Sequence, residues 1–325
     1  MTSREDQKLS SISNAPTTAD ELVRQRAERA RREHLRALTR RWTGNILTWI
    51  LYVVIAVVFA SPLIWVIGNS FRSSQTIWEN VFPVTLLTFF PFDEFFFDNY
   101  IEALGLTPAA QAMGFGMARS LGISLASAIT VVVLSLIFNT GAAYFFARLR
   151  VPRKNILLIY VITTMMIPQQ VIIVPLFLVV NQLGLINTFW ALVVPWYASP
   201  FIVFALIGFF AELPYELDEA AIVDGANLFQ ILTRVVVPNS IPGLITVSIL
   251  EFQFIWNEFF WPLVAVSNKA LHPVQVAIAN QFTDRDPQWG RVFAAMVLAS
   301  APVIILFLFT QRYFYRSVAL SGVKG

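Results

Sequence analysis

The side chains that could do covalent chemistry are few and scattered. The chain has no cysteine, which excludes disulfides, thiolate metal sites and cysteine nucleophiles. Its two histidines, His34 and His272, have no second histidine or carboxylate at metal-ligating spacing, and both read as ordinary surface histidines. No serine sits in a Gly-x-Ser-x-Gly elbow. No Gly-x-x-x-x-Gly-Lys-Ser/Thr loop occurs, so this chain does not cradle nucleotide phosphates; if ATP powers its work, another polypeptide carries the nucleotide site.

One polar stretch is dense enough to carry a function, Glu212-Leu213-Pro214-Tyr215-Glu216-Leu217-Asp218-Glu219-Ala220-Ala221-Ile222-Val223-Asp224-Gly225-Ala226. Pro214 suits the first turn of a helix, where its missing N–H costs nothing. Glu216, Asp218 and Glu219 fall in the early turns, where the helix dipole favours negative charge. Gly225 is placed to end the helix in a left-handed conformation. Asn227 can cap a second short helix through about Val236, stopped by Pro238. Leu217, Ala220, Ala221 and Asp224 fall on one side at helical spacing, and small alanines let another surface come close. The stretch reads either as a docking element for another protein or as two amphipathic connectors lying on a membrane.

Polar groups inside apolar runs form the second set. Gln169 and Gln170 follow Pro168, about 21 Å along a helix from its first residue. Glu251, Trp256, Asn257, Glu258 and Trp261 lie in a later run, and Asn139 and Trp196 are weaker instances. Aromatic faces beside amides and carboxylates suit a sugar, with its apolar C–H faces and its hydroxyls. They equally suit interhelical hydrogen bonds and an aromatic belt at the membrane interface.

The elements that must position these residues are membrane helices. The chain is 57% hydrophobic and 13% charged, with a mean hydropathy of +0.65, far below the charged share of about a quarter in soluble domains. A bilayer core needs roughly 20 apolar residues per helix. Six stretches qualify, near 46–68, 120–147, 155–181, 188–211, 241–266 and 292–311. The predicted fold is all-α with six transmembrane helices, an even number that puts both termini on one side. The first stretch reads as a retained signal anchor, being too long and too far from the start for a cleaved signal.

Lysine and arginine set the orientation. Residues 1–43 hold ten of them, residues 148–154 hold Arg148, Arg150, Arg153 and Lys154, and Arg234, Arg312, Arg316 and Lys324 lie on the same side. Both termini are therefore expected in the cytoplasm, with the acidic and aromatic segment of about 69–118 (Asp93, Glu94, Asp98, Glu102) outside. Within the tail, Thr18-Ala19-Asp20-Glu21 is a capping box opening a basic helix. That helix reads either as a solvated topology anchor or as a segment lying on anionic headgroups. The domain reading is a basic tail, 1–43, and a six-span domain, 44–325, with a cytoplasmic loop of about 212–240.

Glu219-Ala220-Ala221, then Gly225 after three intervening residues, then Pro238, resembles the EAA loop of ABC importer permeases. Ile167-Pro168-Gln169-Gln170, Pro175-Leu176, Leu183-Gly184-Leu185-Ile186-Asn187-Thr188, Trp256-Asn257-Glu258-Phe259-Phe260-Trp261-Pro262-Leu263 and Ser321-Gly322-Val323-Lys324-Gly325 resemble the carbohydrate-uptake branch, the maltose and glycerol-phosphate type. The similarity covers about residues 45–325; the long basic tail and the long outer segment are less typical of that branch. The resemblance implies a type I importer permease in a prokaryotic inner membrane. Its partners would be a second permease, two ATPase subunits and an extracytoplasmic solute-binding protein, with no nucleic acid involved. It implies that Glu219, Ala220, Ala221, Asp224 and Gly225 couple to the ATPase. It also implies that no cofactor or metal binds this chain, ATP and Mg being used by the partner ATPase. The solute would be a sugar or a sugar-like molecule, the alternative being a glycerol phosphate or polyol. A secondary transporter, which would need ion sites or paired broken helices, and a scaffold subunit are the readings from other classes.

Overall fold

The computed structural model describes residues 45–46, 48–91, 94–108, 116–282 and 287–321, with side chains through Gln311. The basic tail with its capping box, His34, Asp93, Lys324 and most of the terminal Ser321–Gly325 motif lie outside the described residues, as do the side chains of Arg312 and Arg316. The chain divides into two compact units, Met1–Leu63 and Ile64–Gly325. Every regular element among the described residues is helical.

Among the described residues, three helices are long and apolar enough to cross a membrane: α1 (Thr48–Asn69), α5 (Met117–Arg148) and the final helix, α14 (Trp289–Ser321), over its first 23 residues. They match the expected stretches near 46–68, 120–147 and 292–311. In the first unit, Trp49, Val53, Val57 and Phe59 of α1 are exposed. Between α1 and α5, the second unit carries three short helices, α2 (Ser74–Glu79), α3 (Leu86–Phe89) and α4 (Asp98–Leu104). They are gathered on the buried Arg72, which donates to Asn69 Oδ1 at 3.2 Å, to Phe90 O at 2.7 Å and to Leu87 O. Asn99 Nδ2 closes the group by donating to Ser70 O and Arg72 O at 3.0 and 2.8 Å.

The other three expected spans are broken, two of them at prolines and the third at Glu258. The stretch 155–181 is two helices, α6 (Lys154–Thr164) and α7 (Gln169–Gln182), bent by 100°. Pro168 supplies no N–H and keeps Ile167 out of the helical region, so the chain turns there. The stretch 188–211 is helical only as a 3₁₀ turn, Phe189–Leu192, and as α8 (Pro200–Ala211). Pro195 and Pro200 bracket the irregular residues between. Asn139 of α5 satisfies that break, donating to Tyr197 O at 3.0 Å and accepting from Ser199 N at 3.1 Å, as unwound backbone in an apolar setting requires. The stretch 241–266 breaks at Glu258 between α11 (Ile241–Asn257) and α12 (Phe260–Ala265).

Between α8 and α11 lie α9 (Glu216–Val223) and α10 (Leu228–Asn239). The α8–α9 and α10–α11 pairs bend by 81° and 82°. By length and composition the described residues therefore hold between three and six candidate spans, the upper number if each bent pair is one.

The body of the second unit forms around α5. One side of this helix is small or polar, with Ser120, Ser124, Ser127, Ala128, Val131, Ser135, Asn139 and Ala143 all buried. That spacing lets neighbouring backbones approach. At one end of α5, Ala143 and Tyr144 pack with Ile202, Leu206 and Phe210 of α8, Ile231 and Val236 of α10 and Val247 of α11. Gly243 marks how close α8 and α11 come: a Cβ there would lie 2.5 Å from the Phe209 ring. Toward the other end, Met117 packs with Trp256, Ala294, Ala295 and Val274, the first residue of α13 (Val274–Phe282).

Candidate functional site

The loop between α8 and α11 folds as two short helices joined by a glycine turn. Pro214 sits just ahead of α9, its carbonyl accepting from Leu217 N at 3.4 Å, so the helix starts slightly later than expected. Gly225 is left-handed, with φ 82°. Its N–H reaches Ile222 O at 3.0 Å, and Ala226 N reaches Ala221 O at 2.9 Å, which satisfies the last carbonyls of α9. A Cβ on Gly225 would meet nothing within 4 Å, so the need for glycine there is conformational rather than steric. Asn227 caps α10 as expected, in a reciprocal box with Gln230 at 2.9 Å each way. Pro238 does not stop α10. The helix passes through a π-turn, Leu232–Val236, and ends at Asn239. The wider turn, with Val237 N–H reaching Leu232 O, lets the ladder absorb the proline.

The expected single small-residue face of α9 is divided. Leu217, Ala220 and Asp224 are exposed, with Ile222, Glu216 and Glu219. Val223 is 86% exposed. Ala221, however, packs against the apolar core with Ala226. Asp218 is buried on the same inward side, three residues earlier, which is one turn of helix.

Asp218 is where sequence reasoning missed the most. Arg148, the last residue of α5, meets it with two hydrogen bonds, Nε to Oδ2 at 3.0 Å and Nη2 to Oδ1 at 3.1 Å. The same guanidinium donates to Leu213 O at 2.7 Å and to Pro214 O at 3.0 Å and lies 4.2 Å from the Tyr215 ring centroid. Tyr215 Oη donates to Ala147 O at 3.2 Å. The Arg148 side chain is fully buried, whereas Arg150 and Arg153 are exposed. No spacing rule pairs residues this far apart; the only hint was an arginine ending a long apolar run.

The breaks bring two of the polar candidates together. Gln169, the first residue of α7, donates through Nε2 to Glu258 Oε2 at 3.1 Å. The other carboxylate oxygen, Oε1, accepts from Trp261 N at 3.0 Å in the first turn of α12. Trp261 in turn donates through Nε1 to Ala191 O at 2.7 Å. Gln170 is exposed, and Asn257 is exposed with Nδ2 on Gln253 O at 2.8 Å.

Trp256 is a packing residue here. It is buried, stacked on Phe252 at 5.5 Å, and donates to Ala299 O at 3.2 Å. Glu251 is buried two turns before the break in α11. Trp196 packs edge-on against Phe254. Asn139 holds the broken stretch before α8, as described above. His272 is fixed by Val266 O and the Asn280 amide. Among the described residues, no group of histidines and carboxylates is arranged to hold a metal.

Residues 140–320 match the family described as "Binding-protein-dependent transport system inner membrane component". The chain belongs to that family. It is thus a multi-pass inner-membrane permease subunit of an ABC importer, a transport component and not an enzyme. It is 31% identical to the arabinooligosaccharides transport system permease protein AraQ of Halalkalibacterium halodurans, over 88% of this chain and 100% of that one. It is 30% identical to the trehalose transport system permease protein SugB of Mycobacterium tuberculosis, over 81% and 92%. It is also 30% identical to the trehalose/maltose transport system permease protein MalG of Thermococcus litoralis, over 86% and 97%. The fold resembles a chain of a bacterial ABC transporter involved in the import of the acidic polysaccharide alginate, with a TM-score of 0.72, 23% identity, and 83% and 96% of the two chains covered.

Proposed function

We propose that this permease forms half of the translocation pathway of an importer for a sugar or sugar-like solute, and that α9 is the element its ATPase partner grips. One observation carries the docking reading. Helix α9 turns outward at the junction of two bent helix pairs and leaves Leu217, Ala220 and Val223 exposed beside Glu216, Glu219 and Asp224. An apolar tip rimmed by carboxylates suits an apolar cleft with a basic edge. Glu219, Ala220, Asp224 and Gly225 form or shape that tip, and Ala221 seats it on the body.

The six spans of a type I importer permease are then α1, α5, the α6–α7 pair, α8 with the irregular residues before it, α11 with α12, and α14, with α9, α10 and both termini in the cytoplasm. The complex holds a second permease, two ATPase subunits that bind ATP and Mg, and an extracytoplasmic solute-binding protein. ATP binding draws the ATPases together, and the helix pairs move with them, shifting the population between inward-facing and outward-facing states. The relatives named for arabinooligosaccharides, trehalose and maltose favour a saccharide. Glu258, Gln169, Gln170 and Asn257, at and beside two broken ends, are the groups assigned to the pathway. Glu251 lies further along the same helix, and Trp256 serves as its packed support.

The test is reconstitution of the complex in proteoliposomes with its binding protein. Saccharide uptake should require Mg-ATP and stop with orthovanadate. Vanadate-insensitive uptake by this chain without an ATPase would overturn the reading in favour of a secondary transporter.

A further inference from the structure

We infer that Arg148 is the positioning residue through which a displacement of α9 reaches the body of the permease, with α5 as the transmitting helix. This rests on the docking role of α9 proposed above and goes beyond it, because docking alone does not say where the movement goes.

Three observations carry the inference. First, among the described residues, the side-chain hydrogen bonds that tie residues 213–218 to the rest of the chain all end on Ala147 and Arg148. Beyond the turn into α10, α9 meets the core by apolar contact through Ala221, which resists sliding less than directed bonds do. Second, Arg148 is held on all sides: a carboxylate, two carbonyls and an aromatic ring engage one planar guanidinium with no exposed side-chain surface. A cation needed only for orientation stays in water, as Arg150 and Arg153 do; a fully desolvated arginine is tolerated when its fork is satisfied. Third, α5 is a continuous helix of 32 residues, and two of its other polar side chains hold neighbouring backbone where helices break or begin. Asn139, nine residues from Arg148 and so about 13 Å along the axis, holds the broken backbone before α8 at Tyr197 and Ser199. Ser124 accepts from Val274 N at 2.8 Å, at the start of α13. A push on Asp218 is therefore delivered to α5, and from α5 to the break before α8.

The test uses the complete complex in proteoliposomes, with solute-loaded binding protein and Mg-ATP. Because the native chain has no cysteine, Val223→Cys gives one thiol in this subunit for a maleimide photo-crosslinker aimed at the ATPase. Arg148→Met removes the fork, and Arg148→Lys keeps the charge and part of the bonding.

In the Arg148→Met complex the crosslink should persist and ATP hydrolysis should stay within about 2-fold, while solute moved per ATP falls by about 10-fold or more. Arg148→Lys should lie between this variant and wild type. Unchanged solute per ATP in Arg148→Met, with the crosslink intact, overturns the inference alone. Loss of crosslink and hydrolysis together in both variants also overturns it, since Arg148 would then only shape the docking face. Failure of Val223→Cys to crosslink with Arg148 intact removes the docking reading itself, and this inference with it.

Discussion

Gln169 and Glu258 join two interruptions in the helical backbone: the amide at the start of α7 donates to a carboxylate at the end of α11, 3.1 Å away. Glu258 also holds Trp261 N at 3.0 Å, so one carboxylate bridges α7 and α12 across the break. A charged acceptor is worth about 1.5–3 kcal/mol per hydrogen bond. We predict that Glu258→Ala, which removes both bonds, lowers uptake by at least about 10-fold. Glu258→Gln, which keeps an acceptor for Trp261 N, should retain more. Asn257→Ala should alter which saccharides compete for uptake. Competition assays in proteoliposomes measure both; if Glu258→Ala and Asn257→Ala leave rate and preference untouched, these residues do not line the pathway.

Gly225 tests the coupling loop separately from the pathway. At φ 82° a β-branched side chain is strained by about 1–3 kcal/mol, although space for its Cβ exists. Gly225→Val is expected to insert normally and to hydrolyse ATP without driving uptake, because the turn that sets α9 against α10 is displaced. Gly225→Asn, which tolerates the left-handed region, should keep most of its coupling. Hydrolysis and uptake measured side by side decide it, and a normally coupled Gly225→Val would sink the docking claim.

What could be read along the chain was what neighbours in sequence decide. The left-handed Gly225 and the Asn227 cap follow from local backbone chemistry, and both were expected. The pairs Arg148–Asp218 and Gln169–Glu258 are 70 and 89 residues apart, and nothing in local spacing links them. Hydrophobic length marked six spans but not the three interruptions, since an apolar run looks the same whether its backbone is continuous or is rescued by a side chain such as Asn139. Trp256 illustrates the converse: an indole among polar neighbours suggested a sugar, but its N–H is used on Ala299 O inside the packing. Ala221 could not be told from Ala220 until the inward side of α9 was known from Asp218.

The ion pair carries a stability prediction of its own. With the Arg148 side chain 0% and the Asp218 side chain 12% exposed, removing one partner strands the other in a poor dielectric, at a cost of about 3–5 kcal/mol for a buried pair. Asp218→Leu should therefore loosen α9, and cleavage of the 212–226 loop by added protease should rise by about 100-fold if it tracks local opening. Arg148→Met with Asp218→Leu should be less sensitive than Asp218→Leu alone, because the unpaired charge is gone. Equal cleavage of the wild type and Asp218→Leu would show that the pair does not hold the loop.

His272 provides a pH dependence whose sign can be worked out. Its Nε2 lies 3.1 Å from Val266 O and its Nδ1 lies 3.1 Å from the Asn280 amide nitrogen. This geometry fits the neutral ring, with Nε2–H donating to the carbonyl and Nδ1 accepting from the amide. Partial burial lowers the histidine below its ordinary 6.5; the Val266 carbonyl opposes this, and nearby Lys269 adds to it. The unfolded segment therefore takes up a proton before the folded one does. Above pH 6.5 both forms are neutral and stability is undiminished; as pH falls below that value stability declines, until the folded ring titrates as well. The melting temperature of the solubilised permease should fall on going from pH 7 to pH 5, and His272→Gln should flatten that part of the profile. An unchanged slope in His272→Gln would assign the acid sensitivity to other groups.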